Sequence, residues 1–202
     1  MTGNAIRNVV FDVGGVLVRL QFAPIIRFLS DSGVDMRDIP AWLERIDLVA
    51  HERGEFGGEE LLARIRALAT RPIDAQELHR HWLGMFERAH EMFDLLEALR
   101  ARHRVFLLSN VGDLHWAHLD RSYGLEACAH GAIASFRVGQ VKPSAAIYRI
   151  AEREFGIEPA ATVFIDDLLP NVQAARAAGW QAIHHGDFAA TRAALDALGV
   201  QP

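Results

Sequence analysis

Asp12, Lys142 and the pair Asp166-Asp167 are the residues of this chain whose types could do chemistry together. Three carboxylates drawn into one place repel one another unless a cation lies between them, which is costly as pure structure and sensible around a hard divalent ion. Magnesium (Mg2+) suits such a site best, because it takes oxygen ligands and needs no histidine. The expected ligands are Asp12, Asp167 and a backbone carbonyl such as that of Gly14. Lys142 would add a point charge, and Ser109 and Asn110 a hydroxyl and an amide. Pro143 suits a helix start whose free amides also favour an anion. The ligand implied by this set is a phosphate.

Each of these residues follows a short apolar run. Val9-Val10-Phe11 leads into Asp12, with Gly14-Gly15 just beyond; Val105 to Leu108 leads into Ser109-Asn110. A brief run at Ile133 precedes Gln140-Val141-Lys142, and Val163 to Ile165 leads into Asp166-Asp167, with Asn171 four residues past the second. If the runs are parallel strands, all of these side chains share one rim of a sheet. From about residue 104 such runs alternate with amphipathic stretches over 114–123, 145–155, 171–178 and 189–198. This pattern predicts an α/β fold, a Rossmann-like parallel sheet with helices on both faces. Gly124, Gly156, Gly179 and Gly199 stand where periodic segments stop, as left-handed caps require.

Residues 24–102 read differently, as successive helices without a strand. One apolar stripe joins Trp42, Leu43, Ile46, Leu48 and Val49, and another Leu61, Leu62, Ile65 and Leu68. A third joins Leu78, Trp82, Leu83 and Phe86, and a fourth Phe93, Leu95, Leu96 and Leu99. The prediction is a small helical cap inserted after strand one, spanning 21–98, with 1–20 and 99–202 forming the core. Glu52, Arg53 and Glu55 lie in a glycine-flanked break of that bundle, where a loop could reach across the rim to a substrate.

Composition narrows the partners. The 202 residues, half of them hydrophobic, are enough for one domain with a smaller insertion. A net charge of −5 argues against nucleic acid or an anionic membrane as the main partner. Cys128 stands alone, so no intrachain disulfide forms, and a reducing compartment fits. No stretch reaches the length of a membrane span, and Met1 to Ala5 lack a basic segment followed by an apolar one, so the expected location is cytoplasmic. The histidines give no second metal site: His115 and His118 lack a third ligand, and His184-His185 should face opposite ways on a strand. The four tryptophans are expected to pack cores, with Trp42 or Phe56 as candidates for a pocket wall.

Phe11-Asp12-Val13-Gly14-Gly15-Val16-Leu17, Leu108-Ser109-Asn110, Lys142-Pro143 and Phe164-Ile165-Asp166-Asp167 stand in the order of the four motifs of the haloacid dehalogenase (HAD) superfamily, which the chain resembles over its whole length. It looks in particular like the branch with a helical cap, and is similar around His51-Glu52-Arg53-Gly54-Glu55 to phosphatases acting on glucose 1-phosphate. The resemblance implies a magnesium-dependent phosphatase acting on a small phosphorylated metabolite, with a sugar phosphate expected. Asp12 would attack phosphorus, and Ser109, Asn110 and Lys142 would bind the phosphoryl group. Asp167 would hold the metal, and Asp166 and Asn171 would hold metal-bound water or orient Lys142. One position departs from the pattern: Gly14 stands where these phosphatases usually carry a second aspartate as acid and base. Glu52 and Glu55 are the candidates to replace it. Two other functions remain open at this point: a phosphate- or metal-binding protein that has lost turnover through Gly14, and a metal-independent dehalogenase.

Overall fold

The computed structural model describes residues 5–202; Met1 to Asn4, which carry most of the reading of the N-terminal segment, lie outside it. The chain opens with β1 (Asn8–Phe11) and β2 (Val18–Leu20). Five helices follow, α1 (Phe22–Asp31), α2 (Ile39–Arg45), α3 (Leu48–Glu52), α4 (Gly58–Ala67) and α5 (Ala75–Leu83). Then come β3 (Phe86–Arg88), α6 (His90–Leu99), β4 (Arg104–Ser109), α7 (Asp113–Tyr123), α8 (Leu125–Cys128), β5 (Ala132–Ala134) and α9 (Ser135–Val138). The chain closes with α10 (Ala145–Phe155), β6 (Thr162–Asp166), α11 (Leu169–Ala177), β7 (Gln181–His184) and α12 (Phe188–Ala197).

Five strands form one parallel sheet in the order β5-β4-β1-β6-β7. Alternation along each strand sorts side chains to two buried faces. Val9, Phe11, Leu107 and Ile165 pack with Leu96 of α6, Trp116 of α7 and Leu195 of α12. Val10, Phe106, Leu108 and Phe164 meet Ile147 and Tyr148 of α10 and Val172 of α11 on the other side. Positive φ at Gly124, Gly156, Gly179 and Gly199 agrees with the caps read from the sequence. No helix among the described residues is long and apolar enough to cross a membrane.

Helices α1 to α5 share a separate core in which Leu29, Trp42, Ile46, Leu61, Ile65 and Leu78 are buried. The structure differs from expectation in four ways, three of them in this part. Phe86 ends no helical stripe: it begins β3, which pairs antiparallel with β2. Three-residue strands are too short to show a period of two, and Phe86 happens to fall one turn beyond Trp82. The fourth stripe belongs to α6, whose buried face packs on the sheet and not in the bundle. The first stripe is broken at Asp47 between α2 and α3, and Val49 is exposed. Pro143 does not begin a helix either, since Ser144 caps α10 by accepting from the Ala146 N–H.

Candidate active site

Strand register assembles the site. Phe11 lies opposite Leu107 on one side and Ile165 on the other, so Asp12 emerges between the ends of β4 and β6, level with Leu108 and Asp166 and one residue short of Ser109. Its N–H continues the ladder to Ile165 O at 2.9 Å. The loop after β5 and α9 brings in Lys142. Its Nζ donates to Asp12 Oδ1 at 2.9 Å, Asp166 Oδ2 at 2.8 Å and Leu108 O at 2.9 Å. That uses all three ammonium hydrogens. Lys142 was expected to touch the phosphoryl group; here it is saturated by protein oxygens, and contact with an anion requires giving one of them up.

Asp166 is equally committed. It accepts from the Leu168 N–H at 2.8 Å and from Asn171 Nδ2 at 3.0 and 3.1 Å, so Asn171 fixes the carboxylate that fixes Lys142. Asn110 departs from expectation in the same manner. Its side chain donates to Lys142 O at 2.9 Å and accepts from the Lys142 N–H at 2.8 Å, pinning the lysine loop.

Asp167 completes the acidic group: one oxygen from each of Asp12, Asp166 and Asp167 lies within 4.8 Å of the others. Gly15, with φ +74°, leaves the room for it, because a Cβ there would stand 2.2 Å from Asp167 Oδ2. With every group ionised, the three carboxylates exceed the single ammonium by two negative charges. Burial pushes Asp12 above the usual carboxylate range, Lys142 opposes this, and Asp166 and Asp167 add to it. Asp167 is raised by burial and then by Asp166. Lys142 is held above its ordinary value because Asp12 and Asp166 outweigh its own burial. The ammonium therefore stays charged, and the surplus negative charge fits a hard divalent cation held by oxygen donors.

Above the rim, the helical bundle docks through α3 and the loop after it. Ser135 Oγ donates to Glu52 O at 2.6 Å and accepts from the Val111 N–H at 2.9 Å. The buried His51 ring lies against Gly112 so closely that a Cβ there would stand 1.8 Å from its Nε2. These contacts were not foreseen, since nothing in the types of Gly112, His51 and Ser135 marks them as partners. Arg53 and Glu55 are exposed and face each other at 3.9 Å. Glu52 points the other way, into a cavity of about 430 Å³ between the bundle and the rim, which Gly14, Ser109 and Asn110 also line. Burial raises Glu52 to about 7, with Lys142 pulling it down. His115, on the same wall, stacks on Trp82 with Nε2 3.0 Å from Trp82 O, and burial lowers it to about 4, leaving it neutral. His184 and His185 meet Asp167 O and Thr191 Oγ1, respectively, and form no metal group with a third ligand among the described residues. All four tryptophans are buried; Trp42 also lines the cavity, whereas Phe56 lies outside it.

An acidic, lysine-braced centre at the carboxyl end of a parallel sheet, covered by an inserted helical bundle, places the chain among α/β proteins that carry a carboxylate at the end of the central strand. The chain belongs to the haloacid dehalogenase-like hydrolase family, whose pattern it matches over residues 6–179. It is 24% identical to the D-ribitol-5-phosphate phosphatase of Bacteroides thetaiotaomicron over 187 residues, 87% of this chain and 90% of that one. It is 26% identical to the sesquiterpene phosphatase astK of Aspergillus oryzae over 184 residues, 90% and 91% of the two chains. A Bacteroides thetaiotaomicron HAD family enzyme solved with magnesium and inorganic phosphate has a TM-score of 0.81 to this chain at 25% identity, covering 91% of this chain and 98% of that one.

Proposed function

We propose that the protein is a magnesium-dependent phosphatase that cleaves a small phosphomonoester through a phosphorylated Asp12. The observation that carries this is the meeting of Asp12, Lys142, Asp166 and Asp167 around a surplus of negative charge. Magnesium is further supported by the related enzyme crystallised with that ion and phosphate. Asp12, Asp167 and the Gly14 carbonyl are the proposed ligands. When bound, the ion supplies Lewis-acid neutralisation of the phosphoryl oxygens.

In the proposed reaction an Asp12 oxygen bonds to phosphorus in line with the departing ester oxygen, and the P–O ester bond breaks. Oδ1 is fixed by Lys142 and by the Val13 N–H at 2.6 Å. Ser109 and the backbone around Asn110 bind the phosphoryl oxygens; Lys142 keeps Asp12 oriented and balances its charge. Asn171 and Asp166 act as positioning residues. Helices α1 to α5 serve as the cap over the core.

The general acid is assigned to Glu52. It lines the same cavity as Gly14 and is protonated at neutral pH to the extent a proton donor needs. Glu52 gives its proton to the leaving oxygen, then as a carboxylate takes one from water. The water oxygen displaces Asp12 from phosphorus, releasing phosphate and restoring both side chains. Arg53 and Glu55, expected to contact substrate with it, are left without that role.

Phosphate release measured with magnesium and again with chelator tests the reading. Activity that survives chelation argues for a metal-free route and against the proposed site. Glu52→Gln should lower kcat for alkyl phosphates by about 10²–10⁴-fold and much less for an aryl phosphate, whose leaving group needs no proton. Equal losses on both would remove Glu52 from the acid role. For the organic half of the substrate the relatives pull apart, one acting on a polyol phosphate and the other on a terpenoid phosphate.

A further inference from the structure

We infer that the organic half of the substrate is an apolar chain or ring system of about ten to fifteen carbons, not a sugar. The inference rests on the phosphatase reading for the position of the phosphate, and on the cavity wall for the rest. On the side of the bundle the cavity is walled by Ile26, Leu29, Met36, Ile39, Leu43 and Leu48. Apart from His115 and two tryptophans, the polar residues of the lining are Glu52, Ser109 and Asn110, the last two from the rim that carries Asp12.

Farther up, the His115 ring nitrogen Nε2 is taken by Trp82 O, and the indole N–H groups of Trp42 and Trp82 are buried without a partner. A bound polyol would bury several hydroxyls against a wall whose indole N–H groups are covered and whose one spare side-chain acceptor is the Nδ1 of the neutral His115, and each unpaired hydroxyl weakens binding. An apolar group meets no such loss and gains from every carbon removed from water. The volume sets the size. At roughly 30 Å³ per water-sized group, about what a methylene fills, 430 Å³ accommodates on the order of fourteen non-hydrogen atoms, some of them the phosphoryl group at the rim, which leaves about ten or more carbons.

The test is a chain-length series of n-alkyl monophosphates and one isoprenyl monophosphate, each below its micelle concentration, compared with ribitol 5-phosphate and glucose 1-phosphate. Here kcat/KM is expected to climb by about fourfold per methylene until the cavity is full. Methyl and decyl phosphate should then differ by about 10⁵-fold if every methylene gains in full, and by no less than about 100-fold, with both polyol phosphates near the methyl end. A flat series, or a polyol phosphate that outperforms decyl phosphate, overturns the inference while leaving the phosphatase reading intact. If p-nitrophenyl phosphate and every other ester prove inert, the phosphatase reading fails on its own. Quenching of Trp42 and Trp82 fluorescence by decylphosphonate then decides the cavity: saturable binding that methylphosphonate does not share supports the apolar occupant, and absence of binding overturns it.

Discussion

Two adjacent glycines do opposite work. At Gly14 an added Cβ would meet nothing nearer than Leu20 Cδ1 at 3.9 Å, so the position can carry a side chain. At Gly15 both the positive φ and Asp167 forbid one. Gly14→Asp should therefore fold, and introduced into Glu52→Gln it should recover at least tenfold in alkyl phosphate turnover by supplying a second acid. Failure to recover any activity would mean that position 14 cannot reach the leaving oxygen. Gly15→Ala should displace Asp167 and raise the magnesium concentration for half-maximal activity by about 10–100-fold, as loss of a supporting contact does at metal centres. The acidic residues were legible in the sequence because each follows an apolar run. The commitments of Asn110 and Lys142 to one another were not, because a hydrogen bond between a side chain and a distant backbone leaves no pattern in residue type.

At the level of elements, the contact between α3 and the turn before α7 holds the bundle over the rim. Gly112→Ala drives a methyl into the His51 ring and should cost about 1–3 kcal/mol. For a chain of this size that is roughly 2–4 °C of melting temperature per kcal/mol. Removing the obstructing ring as well, in Gly112→Ala with His51→Ala, should return part of the loss; a melting temperature lower than that of either single variant would show that the clash is not the cause. The parallel strands were readable from runs and punctuation. The β2–β3 pair and the place of α6 were not, since three-residue strands carry no period and one amphipathic helix looks the same whether it faces a sheet or a bundle.

For the whole molecule, surplus buried negative charge links stability to pH. Asp12 is pushed up to about 8 and Glu52 to about 7, so between the ordinary carboxylate range and pH 8 the native state holds more protons than the unfolded chain. Stability without metal should accordingly fall as pH rises through that window. Magnesium binds the ionised site and should raise the melting temperature more at pH 8.5 than at pH 5.5. Thermal melts at both values, with the ion and with chelator, check this; an equal shift at the two would remove the acidic group as its origin. Fold class was the most legible feature of all, being carried by alternation over half the chain. The apolar lining of the cavity was hidden because its residues come from α1, α2, α3 and the linkers between them, and become one surface only when those elements pack.

The β2–β3 ribbon has a wider consequence. The chain leaves the catalytic half along β2 and re-enters it along β3, with the Ala89 N–H bonded to Leu17 O at 2.9 Å. Exit and entry are thus neighbours. Whatever length of polypeptide runs between Leu20 and Phe86 presents the same two ends to the sheet. A descendant could exchange that whole segment for another and meet a new metabolite, with its reacting groups undisturbed.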